Sequence, residues 1–326
     1  MKILILGLGV IGTTYAYLFQ KAGAETEHFI RESKRMECPE TISVRLLDGR
    51  KNPRGQELRD SYAVHMAQRE SAYDLILVSV PGGRLKEAID TLNENRLSGP
   101  ILVFSGIWED RRYVDTVMGG RKYLLGYPVA GGQIEWQKPE LNSVLFGHVM
   151  LERAEKADID GYAGLISLFD QAEIKTECPF DMLEWIWLHM AINAGVIANA
   201  AAIGDIRDSA AAAGKLMDNP SALNRTIRTI RECTKVAAAR GADLRNYADE
   251  LAFYKFPAGL GGMLMKHMFR TNQLTRRIME LHANRDDLLY VCRSVYHSGR
   301  ELGVSMPLFE KDYADLEKKL VQTKDL

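Results

Sequence analysis

Short apolar runs alternate with helical stretches along the first half of the chain. An amphipathic pattern over 85–92 separates two of these runs, and a helical pattern from Glu109 separates two others. Runs that are apolar throughout are typical of the buried parallel strands of α/β proteins. The pattern therefore predicts a doubly wound sheet, whose ligands bind beyond the carboxyl ends of the strands. The predicted strands lie within 2–6, 26–30, 73–81, 100–104 and 122–126.

The character of the sequence changes near residue 155. The strand-like stretches of the first half end at 151, and the chain beyond is mostly helical apart from one short strand candidate over 173–177. A segment over 181–194 is apolar nearly all round, as expected for a helix that is buried on every side. We therefore predict an α/β protein with an N-terminal Rossmann domain over 1–155 and an all-helical domain over 156–326.

The most specific motif is a glycine-rich turn that follows the first strand directly. In G-x-G-x-x-G the first glycine allows a tight turn and the second lets a pyrophosphate approach the backbone. The third lets the following helix, predicted over 13–22, pack closely on the strand. The N-terminus of that helix offers free N–H groups to phosphate. The turn predicts a dinucleotide site formed by Gly7, Leu8, Gly9, Val10, Ile11 and Gly12.

The end of the second strand bears on which dinucleotide binds. NAD-binding chains usually place an acid there for the ribose hydroxyls, whereas Arg31 stands here. The cations and the hydroxyl of this loop suit a 2′-phosphate and favour NADP. Glu27 and Glu32 keep ribose diol binding open, and a solvated basic loop is the other alternative. The loop residues in question are Arg31, Ser33, Lys34 and Arg35.

Composition sets outer limits on function. The 326 residues are 46% hydrophobic and carry a net charge of −1, so we expect no nucleic-acid or membrane partner. The four cysteines are far apart in the sequence, and no two of them form a C-x-x-C motif. We therefore expect no disulfide framework and no metal site. The chain opens on a core strand rather than a secretory signal, and no uninterrupted apolar run is long enough to cross a bilayer. We expect a cytoplasmic protein.

Two polar residues interrupt the apolar segment over 181–194. His189 and Asn193 are four residues apart and share one face of the predicted helix. Buried polar groups need partners or a ligand. The pair is therefore a candidate substrate site, and the alternative is a core histidine and asparagine satisfied by backbone carbonyls.

These features together resemble the ketopantoate reductase family over essentially the whole chain. The residues that carry the resemblance are the glycine turn, the motif Trp187-x-His189-x-x-x-Asn193 and the closing segment 290–307. The resemblance implies hydride transfer from NADPH to the ketone of a 2-oxo acid, giving a 2-hydroxy acid, in the cleft between a Rossmann domain and a helical domain. It also implies a homodimer, with the helical domain serving substrate binding and dimerisation.

The chain departs from the family in its chemical groups. The family's lysine is replaced by His189, its asparagine in the cofactor site by Ser105, and a glutamate aligns with Asp287. Histidine can replace lysine as an imidazolium that polarises the carbonyl and protonates the alkoxide. We therefore predict His189 as the proton donor, Asn193 as a hydrogen-bond partner of a substrate oxygen, and Asp287 as the group that orients a substrate hydroxyl or the imidazole.

Such departures predict a substrate other than ketopantoate, because a site built around one set of polar contacts loses affinity when those contacts change. Two other functions stay open from the sequence. Loss of the lysine is compatible with a non-catalytic NADP-binding sensor, and the same plan serves opine-type dehydrogenases.

Overall fold

The computed structural model describes residues 1–205, 208–281 and 284–321, without the side chains of Ser33, Leu320 and Val321. Over these residues the chain forms eleven strands and thirteen α-helices. It divides into two compact units, Met1–Met182 and Leu183–Leu326, called here the sheet unit and the helical unit. The α/β class, with a Rossmann-type sheet followed by helices, confirms the prediction from the apolar pattern.

The sheet unit contains a seven-stranded sheet within the described ranges, in the order β11-β10-β7-β6-β5-β1-β2. Its strands run parallel except at the β10–β7 pair, which is antiparallel. The strands are β1 (Lys2–Leu6), β2 (Glu25–Phe29), β3 (Thr41–Asp48), β4 (Gln56–Ala63), β5 (Leu75–Val78), β6 (Ile101–Phe104), β7 (Tyr123–Tyr127), β8 (Ala130–Glu135), β9 (Glu140–Leu145), β10 (His148–Leu151) and β11 (Lys175–Glu177). The helices of this unit are α1 (Val10–Lys21), α2 (Glu32–Arg35), α3 (Leu85–Glu94), α4 (Arg111–Met118) and α5 (Tyr162–Gln171).

A second sheet, in the order β4-β3-β9-β8, was not predicted from the sequence. Its signal was present, because Ile42, Val44 and Leu46 alternate with more exposed residues along β3 and are buried. Such alternation is typical of a sheet with one face on the core. This sheet packs its buried face into the same apolar cluster as β1 and α1.

The sheet unit ends at Met182, later than the predicted boundary at 155. Two features of the structure place residues beyond 155 in the sheet unit. The strand β11 extends the main sheet by pairing with β10, and Leu165 and Phe169 of α5 are fully buried in the cluster that holds Ile3 and Ile5. The sequence predicted a short strand over 173–177 within a mostly helical region, and β11 lies there. The local pattern does not tell which core a helix or strand packs on.

The helical unit is built around α6, most of whose residues are buried. Among the described residues this helix has the length and apolarity of a membrane span, contrary to the expectation from uninterrupted runs, and more than half of it is buried within the protein. The last helix is held by an ion pair of 2.6 Å between Arg225 and the buried Asp312. The helices are α6 (Met182–Ile203), α7 (Ser209–Asp218), α8 (Pro220–Ala239), α9 (Ala248–Lys255), α10 (Ala258–Thr271), α11 (Gln273–Leu281), α12 (Arg285–Glu301) and α13 (Pro307–Val321).

Candidate cofactor cleft and active site

The glycine turn joins β1 to α1 with the geometry that the motif predicts. Gly7 has a φ of +88°, which favours glycine, and its N–H donates to the Phe29 carbonyl over 2.8 Å. Gly9 caps α1, where no side chain bonds the first N–H groups. A Cβ on Gly12 would lie 2.7 Å from Ile5 Cγ2, so only glycine lets the helix pack this closely on β1. The start of α1 is thus open to an anion.

A cleft of about 700 Å³ opens beside this turn, a volume in the range of small-molecule sites. Gly7 and Leu8 form one end of it. Glu87, Ala88 and Thr91 of α3 form another wall. They share one face of the helix, because residues spaced three and four apart do so. The residues lining the cleft are Leu6, Gly7, Leu8, Phe29, Ile30, Arg31, Lys34, Glu37, Cys38, Pro39, Val80, Pro81, Arg84, Glu87, Ala88, Thr91, Trp136 and Pro139.

Two cations face the cleft without a carboxylate partner. Arg31 and Lys34 are exposed and form no ion pair with any residue in the described part of the chain. A third cation, Arg84, lies 3.1 Å from Glu87 on the same wall. The side chain of Ser33, which the sequence suggested beside them, lies outside the described residues. Unpaired cations in such a cleft have the charge that a phosphate group requires of its partners.

The acids that kept ribose binding open are engaged elsewhere. Glu27 does not line the cleft; it lies 2.9 Å from Lys2 Nζ and accepts a hydrogen bond of 2.7 Å from the Tyr73 hydroxyl. Glu32 lies 3.8 Å from Arg69. Two other glutamates, Glu37 and Glu87, line the cleft, and sequence reasoning considered neither of them.

A buried histidine holds the glycine turn from behind. His28 Nδ1 lies 2.7 Å from the Gly7 carbonyl oxygen, and Nε2 lies 2.8 Å from the Tyr62 hydroxyl. Since a carbonyl oxygen only accepts, Nδ1 carries the proton and Nε2 accepts from Tyr62. The Tyr62 oxygen can in turn accept from Thr26, 3.1 Å away. Burial lowers the pKa of His28 to about 4, so the ring is neutral at physiological pH.

Ser105 lies at the carboxyl end of β6 but does not line the cleft. Its hydroxyl is buried, donates to the Val80 carbonyl over 2.8 Å and accepts from the Val80 N–H over 3.3 Å. It therefore ties the ends of β5 and β6 together. Among the predicted cofactor residues, Gly7, Leu8, Arg31 and Lys34 line the cleft, while Gly9, Val10, Ile11 and Gly12 continue the turn into α1.

The predicted catalytic residues lie in the helical unit. His189 is half-buried on α6 and stacks on Trp185 with ring centroids 4.8 Å apart. The Trp185 indole is fixed in turn by donating to Glu250 over 3.0 Å. These contacts hold the imidazole plane in one orientation. Asp287 lies half-buried in the first turn of α12, where the side chain of Asn284 caps the helix by accepting from the Asp287 N–H.

Asn193 differs from the other asparagine of α6. Asn199 is buried and satisfied, because its amide donates to Gly195 O and to Thr229 Oγ1. Asn193 is half-buried and lines a small cavity of about 70 Å³ that also contacts Leu288, the neighbour of Asp287. The structure therefore brings Asn193 to the start of α12, as the sequence hypothesis requires.

Among the residues that the structure describes, no group of three or more His, Cys, Asp or Glu side chains could hold a metal ion.

The N-terminal part of the chain matches the sequence model of a known family. Residues 3–105 match the sequence model of the family described as Ketopantoate reductase PanE/ApbA. No curated protein matches the chain.

Solved structures match over nearly the whole chain. The 2-dehydropantoate 2-reductase from Geobacter metallireducens GS-15 has a TM-score of 0.67 and 16% identity, with 98% of this chain and 99% of that chain covered. The dimeric ketopantoate reductase from Staphylococcus aureus has a TM-score of 0.61 and 16% identity, with 98% of both chains covered. The ternary structure of D-mandelate dehydrogenase with NADH and anilino(oxo)acetate has a TM-score of 0.67 and 15% identity, with 98% of both covered.

The TM-scores show that the chain has the fold of these proteins, a Rossmann-type sheet followed by helices. The solved structures support the fold, and the matched N-terminal segment supports the family. The match over residues 3–105 agrees with the resemblance to the ketopantoate reductase family seen in the motifs of the chain, and the low identities to solved structures fit a divergent sequence.

Acidification is predicted to destabilise the sheet unit through His28. The ring has a pKa of about 4 in the folded protein and about 6.5 when unfolded, so between these values the unfolded chain binds the proton more tightly. Stability is fully present above the unfolded pKa and is lost as the pH falls towards the folded one. We expect the free energy of unfolding, measured by urea titration, to decrease by up to about 3 kcal/mol over this window.

The matched variant is His28→Gln, which removes the titrating ring. We expect it to be less stable at neutral pH but to show a shallower pH dependence in the same window. Carboxylates with a lowered pKa, such as Asp60 beside Lys21, lose their contribution at lower pH and so do not mimic this effect. Equal slopes for wild type and variant would contradict the assignment.

Proposed function

We propose that this protein is an NADPH-dependent reductase that converts a 2-oxo acid to a 2-hydroxy acid. The observation that carries the proposal is the cleft beside the glycine turn, which Gly7 and Leu8 line together with two unpaired cations, Arg31 and Lys34. That arrangement suits a phosphate-bearing dinucleotide. The family whose sequence model matches residues 3–105 suggests the class of reaction.

NADPH rather than NADH is supported by the charges at the end of β2. Arg31 and Lys34 have no carboxylate partner in the described chain, whereas Glu27 is committed to Lys2 and Tyr73. A 2′-phosphate carries charge that a guanidinium and an ammonium both bind well. Gly7, Leu8 and the first N–H groups of α1 would hold the pyrophosphate, and the bound coenzyme supplies the hydride for the ketone carbon.

His189 is proposed as the proton donor. A ketone accepting a hydride needs a group that polarises its oxygen and then protonates the alkoxide, which contributes about a hundredfold to ten-thousandfold in rate. The stacking of the imidazole on Trp185 keeps the ring in one orientation, as a general acid requires. Asn193 would donate a hydrogen bond to a substrate oxygen, and Asp287 would orient a substrate hydroxyl or the imidazole.

The substrate is proposed to be a 2-oxo acid other than ketopantoate. His189 stands where the family has lysine, and the cavity beside Asn193 has room for only a small group, since its volume is about 70 Å³. Apart from Asn193 and Ser209, its walls are apolar. A short aliphatic substituent on the oxo acid fits this description.

We also propose a cytoplasmic homodimer. All four cysteines are free thiols, as expected in a reducing compartment. An apolar face of α10, defined by Leu260, Met263 and Leu264, is 40–59% exposed and continues to Phe256 at 45% exposure. Exposed apolar patches of this kind mark association surfaces.

Removing the side chain of either Arg31 or Lys34 is predicted to weaken the binding of NADPH but not that of NADH. Arg31→Ala and Lys34→Ala should each raise the Kd for NADPH about tenfold, because a charge-assisted hydrogen bond to the 2′-phosphate is lost, and should change the Kd for NADH little. Isothermal titration calorimetry measures both. Arg35→Ala is the matched control, since Arg35 lies on the same helix but donates to the Ala67 carbonyl outside the cleft. Equal losses for NADPH and NADH would overturn the coenzyme assignment.

Replacing the proposed proton donor is predicted to separate catalysis from coenzyme binding. His189→Ala should lower kcat at least a hundredfold with a panel of short-chain 2-oxo acids, while the Kd for NADPH stays unchanged. Absorbance of the nicotinamide follows turnover. His297→Ala, an exposed histidine on α12, is the control and should keep wild-type activity. Unchanged turnover in His189→Ala contradicts the role, and a wild type that binds NADPH but reduces no oxo acid favours a sensor.

A charge placed on the α10 face is predicted to dissociate the dimer. Met263, at 59% exposure, is the most exposed residue of that face, and Met263→Glu should convert the wild-type dimer to a monomer in sedimentation equilibrium. Leu302→Glu, at a position 48% exposed that follows the last residue of α12, is the control. A wild type that sediments as a monomer, or a variant that stays dimeric, contradicts this interface.

A further inference from the structure

Trp136 is exposed, unlike the other tryptophans of the chain. Its side chain is 53% exposed, whereas Trp108, Trp185 and Trp187 are 5–9% exposed. An indole presents a large apolar surface that water solvates poorly. A bound ligand would cover this apolar surface. Trp136 lines the same cleft as Gly7, Arg31 and Lys34.

The turn that carries Trp136 is held firmly by the second sheet. It spans 136–139 and closes the hairpin of β8 and β9, whose last pair before the turn is Glu135 with Glu140. The carbonyl of Pro139 accepts a hydrogen bond of 2.9 Å from the Ser43 N–H at the start of β3. Beyond the turn, β9 pairs with β3 along its whole length. The indole is thus offered to the cleft by a rigid element, as a preorganised binding surface requires.

The residues that line the cleft with Trp136 include both cations and apolar side chains. Arg31 and Lys34 provide the charge, and Pro39, Cys38 and Pro139 lie with Trp136 in the lining of the cleft. Cations bind phosphate but give no surface on which a base can stack. An aromatic ring does, because every base has a π-face.

We propose that the indole of Trp136 is the stacking surface for the adenine ring of the coenzyme, so that the second sheet completes a nucleotide site begun by the Rossmann turn. The inference rests on the proposed function, since it assumes that a dinucleotide occupies the cleft. It adds a residue that neither the glycine motif nor the basic loop identifies.

The test uses the full chain and two probes, NADPH and adenosine 2′,5′-bisphosphate, which has the base and the 2′-phosphate but no nicotinamide. Both should quench the tryptophan fluorescence of the wild type. Trp136→Ala should lose most of this quenching and bind both probes about tenfold more weakly by calorimetry. Trp136→Phe, which keeps an aromatic face, should bind much more like the wild type. Tyr113→Ala, at an aromatic residue 38% exposed on α4 outside the cleft, is the control and should change neither probe's affinity.

The outcomes separate this inference from the proposed function. If Trp136→Ala binds both probes as tightly as the wild type, the stacking role is wrong while NADPH binding stands. If the affinity for NADPH falls but that for adenosine 2′,5′-bisphosphate does not, the indole contacts another part of the coenzyme and the inference is again wrong. A wild type that binds neither NADPH nor NADH overturns the proposed function and the inference with it. Thermal unfolding of each variant checks the fold, which an exposed residue should affect little.

Discussion

The hydrogen bond from His28 to the carbonyl of Gly7 is the contact on which the cofactor turn depends. A tight turn has carbonyl groups that its own strand and helix do not satisfy, and an unsatisfied buried carbonyl is costly. At 2.7 Å the neutral imidazole satisfies this one, and Tyr62 satisfies the other ring nitrogen at 2.8 Å. The turn is therefore held by a buried series of hydrogen bonds through His28 and Tyr62. The first N–H groups of α1, which follow the turn, have no side-chain cap.

The same histidine links the glycine turn to the second sheet. Tyr62 belongs to β4, so the second sheet supports the turn from behind, and Trp136 lies on the hairpin of that sheet beside the cleft. A minimal Rossmann unit has the glycine turn and the helix dipole but neither of these groups. The second sheet shares one apolar cluster with β1 and α1, and close-packed interiors resist the small shifts that would loosen the turn.

In the helical unit, polar groups within an apolar helix are distinguished by their surroundings. Asn193 and Asn199 lie on the same helix and are the same residue type. Asn199 is buried and gives its amide protons to Gly195 and Thr229, which accounts for it as a core residue. Asn193 faces a small cavity near the start of α12, and His189 stacks on an indole that is itself fixed by Glu250. Burial and partners therefore make His189 and Asn193 candidates for chemistry and leave Asn199 as structure.

The sequence by itself determined the elements whose signal is local. The first strand, the glycine turn and the apolar helix over 181–194 follow from residue spacing, because turn geometry and burial on every side restrict the residues directly. It also singled out Arg31 and Lys34, which line the cleft. Tertiary structure alone decided that α5 and β11 join the first core and that Ser105 ties two strands instead of lining the cleft. It also decided that His28 supports the glycine turn and that Arg84 and Trp136 line the cleft beside it. These outcomes depend on contacts between residues far apart in the chain, and side-chain periodicity carries no information about which distant surface an element will meet.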